Sequence, residues 1–173
     1  QLEWKTPQAL HVWVDQSASM RFASKGNAGK NNRAAILVLA IAIAAEKTGE
    51  RVGLCDSTLA PSRGRKQILQ LAKQLNLQMD ADYSLTGPSE FLTSATALIA
   101  SDFLGKSTDV ERILSIAADR GVRGVLLQVL DPLECSFPFQ GRALFQSVLG
   151  SVEHDTLQAA DLKNEYLKRL ADR

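Results

Sequence analysis

The stretch LHVWVDQSAS, residues 10–19, decides the fold that this sequence predicts. Its first five residues are apolar apart from one histidine, and such a short apolar run predicts a buried β-strand. The strand ends at Asp15, where an acidic and hydroxyl-rich loop begins. In open α/β sheets, ligands bind just beyond the carboxyl ends of the strands. The residues from Asp15 onward are therefore the first candidates for a functional site.

Strands and helices alternate along the rest of the chain. Further strands are predicted at residues 51–55, 95–100 and 124–130, with a last, partly polar strand at residues 143–149. Helices are predicted at residues 34–47, 65–75 and 108–120, and a final helix is predicted to start near Asp155 and Thr156. This order predicts an α/β fold, with a doubly wound, mostly parallel sheet and helices on both faces.

Short signals mark where some of these elements begin and end. Gly49 follows the first helix in the position of a C-terminal stop. Thr108 and Glu111 have the spacing of a capping box, which predicts that the third helix begins there. Asp131, followed by a proline, ends the strand at residues 124–130.

The composition excludes several classes of protein. Of the 173 residues, 45% are apolar and 23% are charged, with 20 basic residues against 19 acidic ones. This apolar content excludes a disordered chain, and the balanced charge lacks the footprint of a general nucleic-acid binder. We expect one domain spanning residues 1–173, because a chain of this length buries roughly 70% of its unfolded surface.

Three features bear on where the protein resides. The most apolar run, residues 34–45, is shorter than the about 20 residues that span a bilayer, so we expect no membrane segment in this chain. The first residues carry neither an initiator Met nor a signal-peptide core, so we expect a domain cut from a longer protein. Cys55 and Cys135 are expected to be reduced thiols, which suits a cytoplasmic location.

Oxygen-bearing side chains alternate after the first strand. Asp15, Ser17 and Ser19 would project to one side of an extended segment, and Asp102 follows the third strand. Two carboxylates and two hydroxyls make the all-oxygen shell that Mg²⁺ prefers. The alternative is that Asp15 is a helix cap and that both serines bond nearby backbone. Spacing alone leaves both alternatives open, because Asp-x-Ser-x-Ser is a short pattern.

The same residues carry a resemblance to a known family. Residues 12–20, VWVDQSASM, resemble the first-strand motif of von Willebrand factor type A domains, whose Asp-x-Ser-x-Ser forms a metal-ion-dependent adhesion site. More closely, nearly the whole chain resembles the bacterial branch catalogued as domain of unknown function 58. The other blocks that carry this resemblance are Leu2-Glu-Trp4, Arg51-Val-Gly-Leu54, Pro61-Ser-Arg-Gly-Arg65, Ile99-Ala-Ser-Asp-Phe-Leu104, Val129-Leu-Asp-Pro-Leu-Glu134 and Phe137-Pro-Phe139.

The resemblance implies a von Willebrand factor type A, Rossmann-like sheet with the first strand at its centre. It also implies that Asp15, Ser17, Ser19 and Asp102 ligate Mg²⁺ or Mn²⁺, directly or through water.

The chain departs from that family pattern at one metal ligand. The broader fold uses a Thr at the start of the helix after the second strand, where this chain reads SRGRKQ, residues 62–67. Thr58 is nearby but does not occupy the motif position. A cation beside Arg65 or Lys66 would be repelled by several kcal/mol at an intermediate dielectric. Either side chain is therefore an alternative occupant of the site, paired with the two aspartates.

Several other residues near the predicted site have more than one interpretation. The segment GNAGK, residues 26–30, lacks the outer Gly and the final Ser or Thr of a phosphate-binding loop. Lys25, Lys30 and Arg33 are therefore predicted to be solvated charges, and the alternative is that they contact an acidic partner, because they lie beside the predicted metal site.

Apolar side chains also follow the strand ends. Packing is expected for Phe103, whereas Met20 and Phe22 either pack or form an apolar rim that grips a partner.

The function hypotheses follow from the resemblance and from what the residues lack. A serine nucleophile needs a nearby base, and neither His11 nor His154 has an evident route to Ser17. The resemblance implies a non-enzymatic protein-interaction domain, in which an acidic residue of the partner completes the metal shell. It further implies a MoxR-type AAA+ ATPase as partner, in complex assembly or maturation. The alternatives are a metal-dependent, phosphoesterase-like hydrolase on the same fold and a metal-free interaction scaffold.

Overall fold

The computed structural model describes residues 9–55, 59–76, 91–147, 150 and 153–171. Its strands are β1 (Ala9–Val14), β2 (Arg51–Leu54), β3 (Thr96–Ser101), β4 (Arg123–Gln128), β5 (Ala143–Gln146) and β6 (Glu153–Thr156). Its helices are α1 (Lys30–Lys47), α2 (Arg65–Gln74), α3 (Ser107–Asp119), α4 (Pro132–Ser136) and α5 (Ala159–Ala171), and a 3-10 turn spans Ala18–Arg21.

The first four strands form one parallel sheet in the order β2-β1-β3-β4. β1 and β3 lie at its centre because their near-continuous apolar residues can be covered on both faces. Val12 of β1 lies opposite Leu54 of β2 and Leu98 of β3, and it is fully buried. The predicted α/β fold with a parallel sheet is thereby confirmed.

Alternate residues of the central strands face two different layers of helix. Val12 packs with Val38 of α1 and Leu71 of α2 on one face of the sheet. Ile99 packs with Ile113 of α3 on the other face. Since all four strands run in the same direction, the residues that follow them lie at one edge of the sheet, which we call the carboxyl edge.

The end of the chain differs from the prediction. Residues 143–146 do form a strand, but β5 pairs antiparallel with β6 in a separate two-stranded sheet. β6 lies where the final helix was predicted to begin, and α5 starts at Ala159. The start of the final helix was mispredicted because Asp155 and Thr156 are residue types that often cap helices. In the structure, the Asp155 carboxylate instead pairs with Arg142 across the hairpin.

The predicted capping box is also wrong. α3 begins at Ser107, so Thr108 lies inside the first turn, and the N-cap residue is Lys106, whose side chain makes no capping hydrogen bond. The capping box occurs instead in α4, where the Asp131 carboxylate accepts from backbone and Glu134 reciprocates. From the sequence, this aspartate is a strand stop and a strand-end residue, but its part in a capping box was not predicted.

The first helix begins four residues earlier than predicted, at Lys30. Residues 77–90, in which no helix or strand is predicted, lie outside the described residues. No helix among the described residues is long and apolar enough to cross a membrane.

His11 makes the stability of the fold depend on pH. It is 4% exposed in the centre of the sheet, and neither ring nitrogen has a hydrogen-bond partner among the described residues. Burial, and then the charge of Arg51, lower its pKa. The folded state therefore disfavours the proton, so this contribution to stability is present above the ordinary pKa of about 6.5 and lost as the pH falls through the folded pKa.

We predict that His11→Leu removes part of the loss of unfolding free energy between pH 7 and pH 5, because leucine cannot take up a proton. Each unit by which the folded pKa is lowered corresponds to about 1.4 kcal/mol. Urea unfolding across this pH range measures the effect, with His154→Leu, an exposed position, as the matched control. Identical pH dependence in wild type and His11→Leu would contradict the prediction.

Candidate functional site

Asp15 is the first residue of the carboxyl edge, and the structure holds it rigidly. Its backbone N–H donates to the Ala100 carbonyl at 2.8 Å and so extends the pairing of β1 with β3. Its carboxylate accepts from the Ser17 backbone N–H at 2.8 Å and from the Ser101 hydroxyl at 2.7 Å. The side chain is buried, with 2% of the residue exposed. Asp15 is therefore an oriented, desolvated carboxylate.

The two serines of the motif lie beside each other. The Ser17 and Ser19 Oγ atoms are 3.1 Å apart, and both residues are buried. Ser17 stands at the N-cap of the 3-10 turn, yet its hydroxyl makes no capping hydrogen bond. For Ser17, the structure therefore does not support the alternative in which the hydroxyl only bonds nearby backbone.

Asp102 contacts Lys30, a lysine that is predicted from the sequence to be solvated. The Lys30 Nζ lies 2.9 Å from the Asp102 Oδ2 and 2.6 Å from the Glu134 Oε1, and the side chains of Lys30 and Asp102 are each 2% exposed. The prediction that Lys30 is a solvated charge is wrong. Because Lys30 is the first residue of α1 and helical side chains tilt toward the N-terminus, its ammonium reaches back to the carboxyl edge.

Asp131 and Glu134 connect the loop before α1 to the end of β4. The Asp131 carboxylate accepts from the Ser24 backbone N–H at 2.9 Å, the Ser24 hydroxyl at 3.0 Å and the Leu133 backbone N–H at 2.9 Å. Glu134, which holds Lys30, also accepts from the Asp131 backbone N–H at 2.8 Å. Lys30, Asp102, Asp131 and Glu134 thus form one connected network across the carboxyl edge.

The pKa values of two aspartates in this site move in opposite directions. Burial raises the pKa of Asp15, and although hydrogen bonds from Ser101 and Ser17 oppose this, the charge of Asp102 adds to it. Burial also raises the pKa of Asp131, but the hydrogen bonds from Ser24 and Leu133 and the charge of Lys30 outweigh it, so its pKa is lowered overall. Of these two aspartates, Asp131 is the one whose pKa is lowered by a positive charge among the described residues, that of Lys30.

Arg65 and Lys66, the alternative occupants of the site, lie away from the two aspartates. Ser62 bridges to Val52 near the start of β2, and the Gly64 backbone N–H donates to Glu46 near the end of α1. α2 therefore starts at the end of the sheet opposite the carboxyl edge. Arg65 and Lys66 begin this helix and are exposed, so the alternative in which one of them pairs with the aspartates is wrong. Thr58 lies outside the described residues.

An aromatic groove borders the site. Phe22 and Leu104, which follow β1 and β3, line it together with side chains from the C-terminal part of the chain. Those partners include Phe137, Phe139, Phe145 and Tyr166, whose rings stack or meet edge to face at 4.8–5.5 Å between centroids. Sequence analysis missed the groove because its two sides are far apart in the chain. Met20 and Phe103 are buried and pack in the core.

Part of the predicted ligand set fits a hard divalent cation. Adjacent oxygen ligands of an octahedral Mg²⁺ at 2.0–2.1 Å lie about 3 Å apart, and the Ser17 and Ser19 oxygens are 3.1 Å apart. Asp15 supplies a neighbouring carboxylate. Asp102 is already engaged by Lys30 and by the Leu104 backbone N–H. Among the described residues, no group of three or more His, Cys, Asp or Glu residues could hold a metal, so the hydroxyls are essential to any site here.

We predict that Lys30→Met destabilises the fold by about 3–5 kcal/mol, because it leaves the Asp102 and Glu134 carboxylates buried without their ammonium. Lys25→Met, at an exposed position in the same loop, should change stability by less than about 0.5 kcal/mol. Chemical denaturation compares the two variants. The triple variant that adds Asp102→Asn and Glu134→Gln should recover much of the loss, whereas equal stability of the two lysine variants would refute the prediction.

Comparisons with known proteins place the chain in a family. A family model described as protein of unknown function DUF58 matches residues 1–171. No curated protein and no solved structure matches the chain. The match covers almost the whole chain, so this protein belongs to the DUF58 family.

Proposed function

We propose that this chain is a non-enzymatic protein-interaction domain that recognises its partner at the carboxyl edge. Asp15, Ser17 and Ser19 would hold Mg²⁺ or Mn²⁺ there, with Asp102 acting on the ion through water. The observation that carries the proposal is the pair of adjacent buried hydroxyls beside Asp15, whose carboxylate forms no ion pair within the part of the chain that the structure describes. The bound ion would supply an open coordination position for an acidic group.

The charge balance of the site supports a bound cation. The site contains four carboxylates, those of Asp15, Asp102, Asp131 and Glu134, and among the described residues one buried ammonium, that of Lys30. Buried carboxylates in excess of their cations either take up protons or attract a positive ion. A divalent cation next to Asp15 would offset this excess where it is least compensated.

The arrangement of Ser17 supports binding over hydrolysis. Its hydroxyl contacts the Ser19 hydroxyl, whereas a serine nucleophile requires contact with a base. His11 lies in the middle of β1, and His154 is an exposed residue of β6. A partner's acidic side chain could reach the ion, and an apolar side chain beside it could enter the aromatic groove.

The partner class comes from the resemblance to the von Willebrand factor type A domains and to the DUF58 family. On that basis we propose a MoxR-type AAA+ ATPase as partner, in the assembly or maturation of a protein complex. The acidic residue that completes the metal shell would belong to this ATPase or to the complex on which it acts.

A metal-free scaffold is a second candidate, and one specific contact favours it. The Lys30 ammonium already pairs with Asp102, so a cation near Asp102 would meet a positive charge. In that case Lys30, rather than Arg65 or Lys66, neutralises the acidic residues, and the partner would contact the aromatic groove and its rim directly.

We predict that Mg²⁺ or Mn²⁺ stabilises the wild-type domain and that Ser17→Ala/Ser19→Ala abolishes the effect, because the double variant loses two ligands but no charge. A free ion at 100 times its dissociation constant adds about 2.7 kcal/mol of stability. Titration calorimetry and thermal unfolding measure both quantities, with Ser115→Ala, exposed on α3, as the control. The absence of heat and of stabilisation at millimolar ion would favour the metal-free scaffold instead.

We also predict that Ser17→Ala/Ser19→Ala lowers the recovery of a MoxR-type AAA+ ATPase from the same genome in a pull-down with this domain. The loss should match that of Asp15→Ala/Asp102→Ala, after circular dichroism has shown that both variants are folded. Asp119→Ala, an exposed change at the end of α3, should leave recovery unchanged. Equal recovery by all variants would argue against a role of the metal site in this partnership.

A further inference from the structure

The outer face of α1 is apolar although nothing among the described residues covers it. Ile36 is 69% exposed, and Leu37 and Ile41 are each 44% exposed. Ala40 and Ala44 are exposed between and beyond them. These five residues recur at the helical spacing of three and four and form one continuous row, which we call the α1 stripe.

The α1 stripe is unusual for a surface helix of this protein. The inward side of α1 is also apolar, since Ala34, Val38 and Ala42 are buried against the sheet. A helix that is apolar all round is normally buried on all sides. α5, by contrast, exposes charged residues along its outer face, including Lys168 and Arg169. The α1 stripe therefore has the composition of a contact surface.

Positive charges surround the α1 stripe at both ends. Arg33 precedes it and Lys47 follows it on the same side of the helix, and both are exposed. α2 packs against α1 and adds three exposed cations and an apolar side chain that is 55% exposed. These residues are Arg65, Lys66, Lys73 and Leu69.

α1 and α2 run antiparallel, so the cations of α2 lie near both ends of α1. The Gly64 backbone N–H at the start of α2 contacts Glu46 at the end of α1, and the Leu75 carbonyl at the end of α2 accepts from Gln16 at the carboxyl edge. Lys73 therefore lies toward the beginning of α1, and Arg65 and Lys66 toward its end. Glu46 is the one carboxylate within α1 and α2; it is not fully exposed, and it already accepts this hydrogen bond.

We propose that the α1 stripe binds an amphipathic helix of another protein, whose apolar row is flanked by Asp and Glu residues at both ends. From Arg33 to Lys47 the axis of α1 extends about 21 Å, which matches a partner helix of about 14 residues. Ala40 and Ala44 leave room for large side chains of the partner to pack between the helices. The flanking cations select the acidic ends of the partner by charge complementarity.

The flanking charges argue against a second copy of α1 as occupant, and the composition of the α1 stripe argues against a membrane surface. In a symmetric antiparallel pair of α1 helices centred on Ala40, Arg33 would face Lys47 of the second copy, and like charges in contact are unfavourable. A helix that lies in a membrane interface usually presents aromatic anchors on its apolar face. The α1 stripe has none, and its other sides are occupied by the protein core.

The test uses two designed 14-residue peptides that share one Leu and Ile stripe and differ only in their flanking residues, Glu in one and Lys in the other. Fluorescence anisotropy should show at least about tenfold tighter binding of the Glu peptide to the wild-type domain. Arg33→Glu/Lys47→Glu should reverse that preference. Ile36→Asp/Ile41→Asp should abolish binding of both peptides, whereas Leu114→Asp, at a 47% exposed position on α3, should not.

Three results would overturn the proposal. Equal or undetectable binding of the two peptides to the folded wild-type domain would exclude charge-selected helix binding. A concentration-dependent dimer in light scattering that Ile41→Asp dissolves would assign the α1 stripe to a second copy. Binding to phosphatidylserine–phosphatidylcholine vesicles, lost in Ile36→Asp/Ile41→Asp, would assign it to a membrane surface.

Discussion

The buried contact between the Lys30 ammonium and the Asp102 and Glu134 carboxylates organises the functional edge of this protein. It joins the first residue of α1 to the end of β3 and to α4. Charges removed from water are costly unless they are paired and hydrogen-bonded, so the three elements that carry them must meet in one geometry.

This contact also separates two kinds of acidic residue. Asp131 is supplied with hydrogen bonds and lies near Lys30, and its pKa is lowered. Asp15 is raised in pKa by burial and by the charge of Asp102, and no ammonium among the described residues pairs with it. One edge of a sheet thus contains a compensated acidic network next to an uncompensated carboxylate.

Much of the fold was predictable because the parallel sheet has a strong local signature. The apolar runs that became β1 to β4 and the stripes that became α2 and α3 were recognisable in consecutive residues. The capping box of α3 and the start of the final helix were mispredicted, since Thr108 and Asp155 look like helix caps when considered alone. Asp15, Ser17, Ser19 and Asp102 were recognisable as strand-end residues, whereas Lys30 looked like one charge among several in a polar loop.

The sequence by itself determined the order of strands and helices and the position of the Asp-x-Ser-x-Ser segment after β1, because both depend on periodicities within a few neighbouring residues. Only the tertiary structure decided which charge meets Asp102 and how the aromatic groove is assembled. Lys30 is 72 residues from Asp102 and 104 residues from Glu134 in the chain. Contacts across such separations depend on how β3 and α4 arrive at the carboxyl edge, and no local pattern encodes that arrival.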